Sequence, residues 1–125
     1  MSKWVEYSME SKINAVLRNI EQTSRKQGHT FHPPFITAYQ LAIALEDQNA
    51  GLCVALEKEL GGKGTDEHHS LSQYVANELS IRIGDGEIQN IEGAFLSVKD
   101  IVSLDFTRGV SSSATDTISL FRLRR

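Results

Sequence analysis

The densest group of residues that could do chemistry lies in residues 61–70, which read GGKGTDEHHS. Glycines let the backbone approach a ligand closely, and free amides at a helix start favour bound anions. Lys63 adds a positive charge, and Gly64 and Thr65 follow it directly. These residues predict a loop that binds an anionic small ligand or a partner protein. The alternative is a plain connection between two helices in which Gly61 only ends the first.

The histidines raise a second interpretation, a metal or acid–base site. His68 and His69 are adjacent, so on a helix their side chains point about 100° apart and cannot chelate one ion as an i, i+4 pair would. His32 could join them if the proline segment, residues 29–35, folds against the glycine loop. A metal-assisted hydrolase is therefore an alternative function, although the chain has no HExxH motif and no paired cysteines. We expect neither a bound metal nor a cofactor.

The motifs do not support nucleotide hydrolysis or nucleophilic catalysis. A Walker A loop follows a strand and runs from Gly-Lys into Ser or Thr, whereas here a predicted helix precedes the loop and Gly64 follows Lys63. No GxSxG sequence is present. The single cysteine, Cys53, lies in the apolar run LCVAL, which favours a packed position over a nucleophile. The chain is thus predicted to bind rather than to catalyse.

The composition is that of one soluble globular domain. The 125 residues are 40% hydrophobic and 23% charged, which fits a single domain over residues 1–125. The net charge of −3 argues against a protein that coats nucleic acid. One cysteine allows no intrachain disulfide, and no apolar run approaches the roughly 20 residues that span a bilayer. We expect a cytoplasmic protein with no membrane partner.

Apolar residues at helical spacing predict four helices in the N-terminal two-thirds of the chain. Two have clear start signals: Thr37 with Gln40, and Ser70 with Gln73, each a hydroxyl residue followed three positions later by glutamine. Thr65 is an alternative start for the last helix. The predicted helices cover about residues 5–26, 37–47, 50–60 and 70–83.

The apolar period changes after the turn signal Asp85-Gly86, since apolar and polar residues then alternate. This alternation predicts strands near residues 94–98, 102–107 and 118–123, with a further short strand at 87–91. Hairpin-like connections make the sheet antiparallel. The predicted fold is α+β: about four helices, then a small antiparallel sheet of three to four strands. The last strand is expected to close the sheet or to pair across a dimer.

This order of helix, turn, helix and strands resembles that of a winged helix, and TAYQLAIAL resembles the opening helix of such motifs. The resemblance implies a DNA-binding regulator as an alternative function. The two candidate reading helices, however, do not offer the several Arg, Lys, Asn or Gln side chains that phosphate and base-edge contacts usually require. Nucleic acid is therefore not the partner that we expect.

The sequence favours a small binding or accessory protein that forms a homodimer. Its predicted site is a groove between the proline segment and the glycine loop. The loop would supply amide, cationic and histidine contacts, and aromatic side chains would form an apolar wall. The predicted site residues are Lys63, Gly64, Thr65, His68, His69, His32, Phe31, Phe35 and Tyr39.

Overall fold

The computed structural model describes residues 2–24, 31–61, 70–109, 111–113 and 118–124. Within these ranges, five helices and a three-stranded antiparallel sheet form the predicted α+β fold. The helices are α1 (Lys3–Glu6), α2 (Met9–Ser24), α3 (Ala38–Gln48), α4 (Leu52–Leu56) and α5 (Leu71–Gly84). The strands are β1 (Ile36–Thr37), β2 (Ile91–Leu96), β3 (Ser103–Asp105), β4 (Ser111–Ser113) and β5 (Ile118–Leu123).

The first predicted helix is interrupted near its start. Ser8 takes a positive φ of 51°, which ends α1 and lets α2 begin at Met9. Ser2 caps α1 by accepting a hydrogen bond from the Val5 amide. The break turns the short α1 so that Trp4 enters the core, where it is only 4% exposed.

The start of α3 confirms the predicted capping box. The Thr37 hydroxyl accepts from the Gln40 amide at 3.1 Å, and the Gln40 side chain accepts from the Thr37 amide at 2.7 Å. Two orphan amides of the helix start are thereby satisfied. Ile43 is buried together with Ala38, Leu41, Ala42 and Leu45, so α3 is central to the fold.

The start of α4 is held by a side chain from α3. Gly51 has a φ of 91°, and the Glu46 carboxylate accepts hydrogen bonds from the Gly51 amide at 2.8 Å and the Cys53 amide at 2.7 Å. These two amide contacts lower the pKa of Glu46 below its ordinary value of 4.5. The Glu46 carboxylate thus caps the start of α4, as the Thr37 and Ser70 hydroxyls cap the starts of α3 and α5.

Glu46 should make stability depend on pH. Because folding lowers its pKa, its contribution is fully present above pH 4.5 and is lost as the pH falls through the folded-state value. We expect wild type to unfold at a higher temperature than Glu46→Gln at neutral pH. The difference between the two unfolding temperatures should shrink as the pH is lowered. The exposed Glu10→Gln variant is the control, measured by circular dichroism at each pH. A gap that stays constant across the series would contradict the capping role.

The predicted third helix is wrong in its length and in its stop signal. Helix α4 ends at Leu56, because Glu57 adopts the left-handed conformation with φ 57° and ψ 45°. Gly61 is therefore not the C-cap of this helix. The chain instead extends past Glu59, which forms an isolated parallel bridge with Ser70.

The main sheet has the strand order β1-β5-β2, and both pairings are antiparallel. The predicted last strand, β5, is thus the central strand, since β1 takes one of its edges and β2 the other. Strand β2 pairs with β5 over its whole length, from Ile91 opposite Leu123 to Leu96 opposite Ile118. The two edge strands of the sheet are therefore β1, of two residues, and β2, of six.

Strands β3 and β4 form a separate two-stranded ribbon. It lies in the connection between β2 and β5 and contacts the outer side of α3. The Phe106 ring stacks on Tyr39, and the Arg108 guanidinium pairs with the Asp47 carboxylate. These contacts fix the part of the connection nearest to α3.

One hydrophobic core joins the helices to the sheet. Its fully buried members come from α2, α3, α5 and β2 in particular, and α5 lies over β2. The largest fully buried side chains include Met9, Ile13, Leu41, Leu45, Leu56, Leu71, Leu79 and Ile91.

Candidate binding groove

Of the predicted site residues, Lys63, Gly64, Thr65, His68 and His69 lie outside the described residues. The predicted contacts of the glycine loop therefore remain predictions. The described members are Phe31, His32, Phe35 and Tyr39, which lie around the start of α3. Phe31 and His32 are exposed, and Phe35 and Tyr39 are half-buried.

Phe35 contributes to a structural clamp at one end of β5. The Arg122 guanidinium lies 4.1 Å from the centre of the Phe35 ring and donates to the Pro33 carbonyl at 3.2 Å. Arg122 also donates to the Glu92 carboxylate on the neighbouring strand at 2.6 Å, which lowers the pKa of Glu92. These contacts hold Pro33 and Phe35 against the sheet, and the Arg122 guanidinium covers the face of the Phe35 ring on which a ligand would pack.

Tyr39 lies on the other side of β1 and is stacked on Phe106, with ring centres 5.4 Å apart. It also lines a groove bounded by α3, α5 and the ends of β2 and β5. Phe35 and Tyr39 therefore have different neighbours, and they do not form the single aromatic wall that the sequence predicts.

The start of α5 does not offer free amides to an anion. The Leu71 amide donates to the Glu59 carbonyl at 2.6 Å, and the Ser72 amide donates to the Leu60 carbonyl at 3.2 Å. The Gln73 amide donates to the Ser70 hydroxyl at 3.1 Å, which confirms the predicted cap. The Tyr74 amide makes the first intrahelical bond, to the Ser70 carbonyl, so the amides of residues 71–73 that precede it are all used within the chain.

The groove beside α5 encloses about 290 Å³ and is lined by uncharged side chains. Amides and hydroxyls dominate its walls, and the Phe95 ring, 72% exposed, stands at its rim. Gln73 and Asn77 are hydrogen-bonded to each other at 2.9 Å, one helical turn apart. The described lining residues are Ala38, Tyr39, Ser72, Gln73, Ala76, Asn77, Ser80, Phe95 and Ser119.

Strand β2 borders this groove through Phe95 and has further backbone hydrogen-bonding groups along its outer edge. The Arg124 amide donates to the Asn90 carbonyl at 2.8 Å, and these residues are opposite each other in the register. Hydrogen-bonded pairs alternate along an antiparallel ladder, so Glu92, Ala94 and Leu96 bond to β5. The amides and carbonyls of Gly93 and Phe95 point to the other side, where the described chain places no further strand, whereas Ile91 is fully buried.

The charged residues of α5 do not reveal this groove. Glu78 and Arg82 are paired with each other at 3.0 Å, and the Arg82 guanidinium lies 4.5 Å from the centre of the Trp4 ring. The exposed side of α5 instead carries Gln73, Asn77 and Ser80, spaced four and three residues apart. This uncharged polar stripe is the sequence feature from which the groove could have been predicted.

Cys53 has the properties of a packed thiol. It is partly buried against the core, and burial together with the nearby Glu46 carboxylate raises its pKa to about 12. The thiol therefore stays protonated at neutral pH. Within the described ranges no three His, Cys, Asp or Glu side chains gather as metal ligands would. The predicted histidine cluster depends on His68 and His69, outside those ranges.

No family model, curated protein or solved structure matches this chain in comparisons with known proteins. Among the helices of the described residues, none combines the length and the apolar character needed to cross a membrane. The candidate function therefore rests on the groove and on the strand beside it.

Proposed function

We propose that this is a binding protein that holds an extended segment of a partner protein between α5 and the edge of β2. The observation that carries the proposal is the row of outward backbone groups on β2 beside an uncharged, hydrogen-bonding helix face. A segment added to a sheet edge gains main-chain hydrogen bonds, and a neighbouring groove selects its side chains.

The composition of the β2 edge supports this role. Sheet edges that must stay unpaired are usually protected by charge, proline or a bulge. Residues 93–95 read Gly-Ala-Phe, and all three are exposed without any of these protections. Their immediate acidic neighbour, Glu92, is already engaged by Arg122.

The lining of the groove favours a protein segment over an anionic small ligand. None of its described lining side chains carries a charge, and the amides at the start of α5 are occupied. Peptide groups suit amide and hydroxyl partners, and the Phe95 ring offers an apolar contact.

Selection from a random peptide library displayed on phage tests the proposal. We expect selected peptides to shift the amide resonances of Gly93, Phe95 and Asn77 in nuclear magnetic resonance spectra. Phe95→Ala should weaken their binding by about tenfold, since an exposed aromatic anchor contributes on the order of 1–2 kcal/mol. The matched control is Val102→Ala, because Val102 is 91% exposed and does not line the groove. Peptides that bind Phe95→Ala as tightly as wild type would contradict this site.

A DNA-binding regulator is the second candidate, favoured by the topology. The chain has two helices before the short β1, three between β1 and β2, and the strand order β1-β5-β2, which resembles the arrangement of winged-helix proteins. Asn, Gln and Ser side chains also read base edges, and the exposed stripe of α5 carries all three types. The groove lacks cations for phosphate contacts, which ranks this candidate second. Gel shifts with mixed genomic fragments at low salt test it, and an absence of salt-sensitive binding would exclude it.

A further inference from the structure

A second cavity, of about 340 Å³, lies between the outer side of α3 and the segment that follows β3. Helix α3 contributes Gln40, Ile43, Ala44 and Asp47, whose sequence spacing places them on one face of the helix. Residues 105–107 form the other wall. The described lining has no residue in common with the groove beside α5, and the volume is within the range of small-molecule sites.

The walls of this cavity combine apolar surface with negative charge. Ile43, Ala44 and the Phe106 ring are apolar, whereas Asp47 and Asp105 each bring a carboxylate. No Lys or Arg belongs to the described lining, and the Asp105 carboxylate has no ion pair with any described residue. The lining is therefore complementary to a ligand that carries a positive charge on an apolar body.

The chain itself shows that a planar cation can bind one of these carboxylates. The Arg108 guanidinium, next in sequence to Thr107, pairs with the Asp47 carboxylate. The two side chains are 47% and 52% exposed, and ion pairs this open to solvent contribute little to stability. A ligand that displaces Arg108 from Asp47 would therefore lose no more than about fivefold in affinity, and Asp105 would still be available to it.

A bare metal ion suits this lining less well than an organic cation. Within the described ranges, no three His, Cys, Asp or Glu side chains gather as metal ligands, and Ca²⁺ takes roughly six to eight oxygen ligands. The side chains of Ile43, Ala44 and Phe106 offer no oxygen, but they can pack against the hydrocarbon part of an organic ligand. An aromatic ring also attracts a cation that lies over its face.

We infer that this cavity binds a small organic cation, in which an amidinium, guanidinium or ammonium group is joined to an apolar body. Asp105 is its main charge partner, and Arg108 competes with it for Asp47. The inference does not rest on the proposed peptide groove, since Phe95 and the polar stripe of α5 lie outside this cavity.

The benzamidinium ion and benzamide are the matched probes, because they have nearly the same shape and only the first is charged. Each is titrated into the whole chain while the amide resonances are followed by nuclear magnetic resonance. We expect benzamidinium to shift the resonances of Ala44, Asp105 and Thr107, and benzamide to bind at least about tenfold more weakly. Equal binding of the two probes overturns the inference, as does a benzamidinium titration that moves none of these resonances.

A variant of Asp105 tests the charged contact. Asp105→Asn should weaken benzamidinium binding about tenfold, because it removes the charge and keeps the shape of the side chain. Residue 105 is exposed, so the variant should keep the unfolding temperature of wild type. The control is Asp100→Asn, since Asp100 is exposed and lies outside the cavity. Binding to Asp105→Asn that is as tight as binding to the control overturns the inference.

Arg108→Ala tests the competition for Asp47. This variant should bind benzamidinium about two- to fivefold more tightly than wild type, because the Asp47 carboxylate is then open to the ligand. The stacked rings of Tyr39 and Phe106 report whether the segment after β3 stays in place. If their ring resonances are unchanged and binding is not tighter, the competition is overturned. If the two rings separate, Asp105→Asn alone decides the inference.

Discussion

Replacing Trp4 by Ala should cost about 3–5 kcal/mol in the free energy of unfolding, as removal of a buried aromatic side chain usually does. Trp4 is 4% exposed, although it lies in a helix of four residues near the start of the described chain. Its ring packs against Tyr74 with centres 6.2 Å apart, and the Arg82 guanidinium covers its face at 4.5 Å. The variant loses the side chain that fixes α1 to α5.

Urea unfolding followed by circular dichroism measures this loss. The matched control is Val5→Ala, because Val5 is the next residue of the same helix and is 59% exposed. We expect the control to change stability by no more than about 0.5 kcal/mol. Similar small losses in both variants would show that α1 contributes little and that the Trp4 contacts are dispensable. If both variants instead lose as much stability as we expect for Trp4→Ala, the loss would come from disturbing the helix itself rather than from removing the Trp4 ring.

The sequence predicts the features of this fold that depend on neighbouring residues. The caps at Thr37 and Ser70 form as expected, since a hydroxyl and the amide three residues later meet in any helix start. The apolar stripe from Met9 to Leu17 is buried for the same reason: its spacing places one face against the core. The change of period after Asp85 correctly separates the helical part from the sheet.

Features that depend on distant residues could not be predicted. The central place of β5 follows from pairings with β1 and β2, and β1 is only two residues long. The start of α4 depends on Glu46, a side chain from the preceding helix, so no local cap marked it. The proline segment meets β5 through Arg122, which separates Phe35 from Tyr39 and divides the predicted aromatic wall.

The candidate site shows the same limit. Gln73, Asn77 and Ser80 have ordinary helical spacing in the sequence. That they line a groove depends on which side of α5 is not packed against the rest of the protein. Phe95 was correctly placed in a strand, but only the strand order makes that strand an edge. The charged and histidine residues therefore predict a site at residues 61–69, whereas the groove of the described structure is lined by uncharged side chains.

Gly61→Ala should cost about 2 kcal/mol or more, the second large effect that we expect. Gly61 has a φ of 134°, a conformation that residues with a side chain rarely adopt. A Cβ atom there would lie 2.3 Å from the Ser72 hydroxyl oxygen and 3.2 Å from its Cβ. The backbone at residue 61 or the first turn of α5 would have to move, which would disturb the bonds from Leu71 and Ser72 to residues 59 and 60.

Two other glycines separate the causes of this loss. Gly86 has a φ of 85° with open space around it, so Gly86→Ala reports the backbone strain alone. Gly84 has open space and lies in the last turn of α5, so Gly84→Ala should be neutral or stabilising by up to about 1 kcal/mol. The expected order of stability is Gly84→Ala, then Gly86→Ala, then Gly61→Ala, measured by urea unfolding. If Gly61→Ala unfolds like Gly86→Ala, the contact with Ser72 has no effect. If it is destabilised beyond Gly86→Ala, Gly61 is required by its close packing on Ser72 at the start of α5.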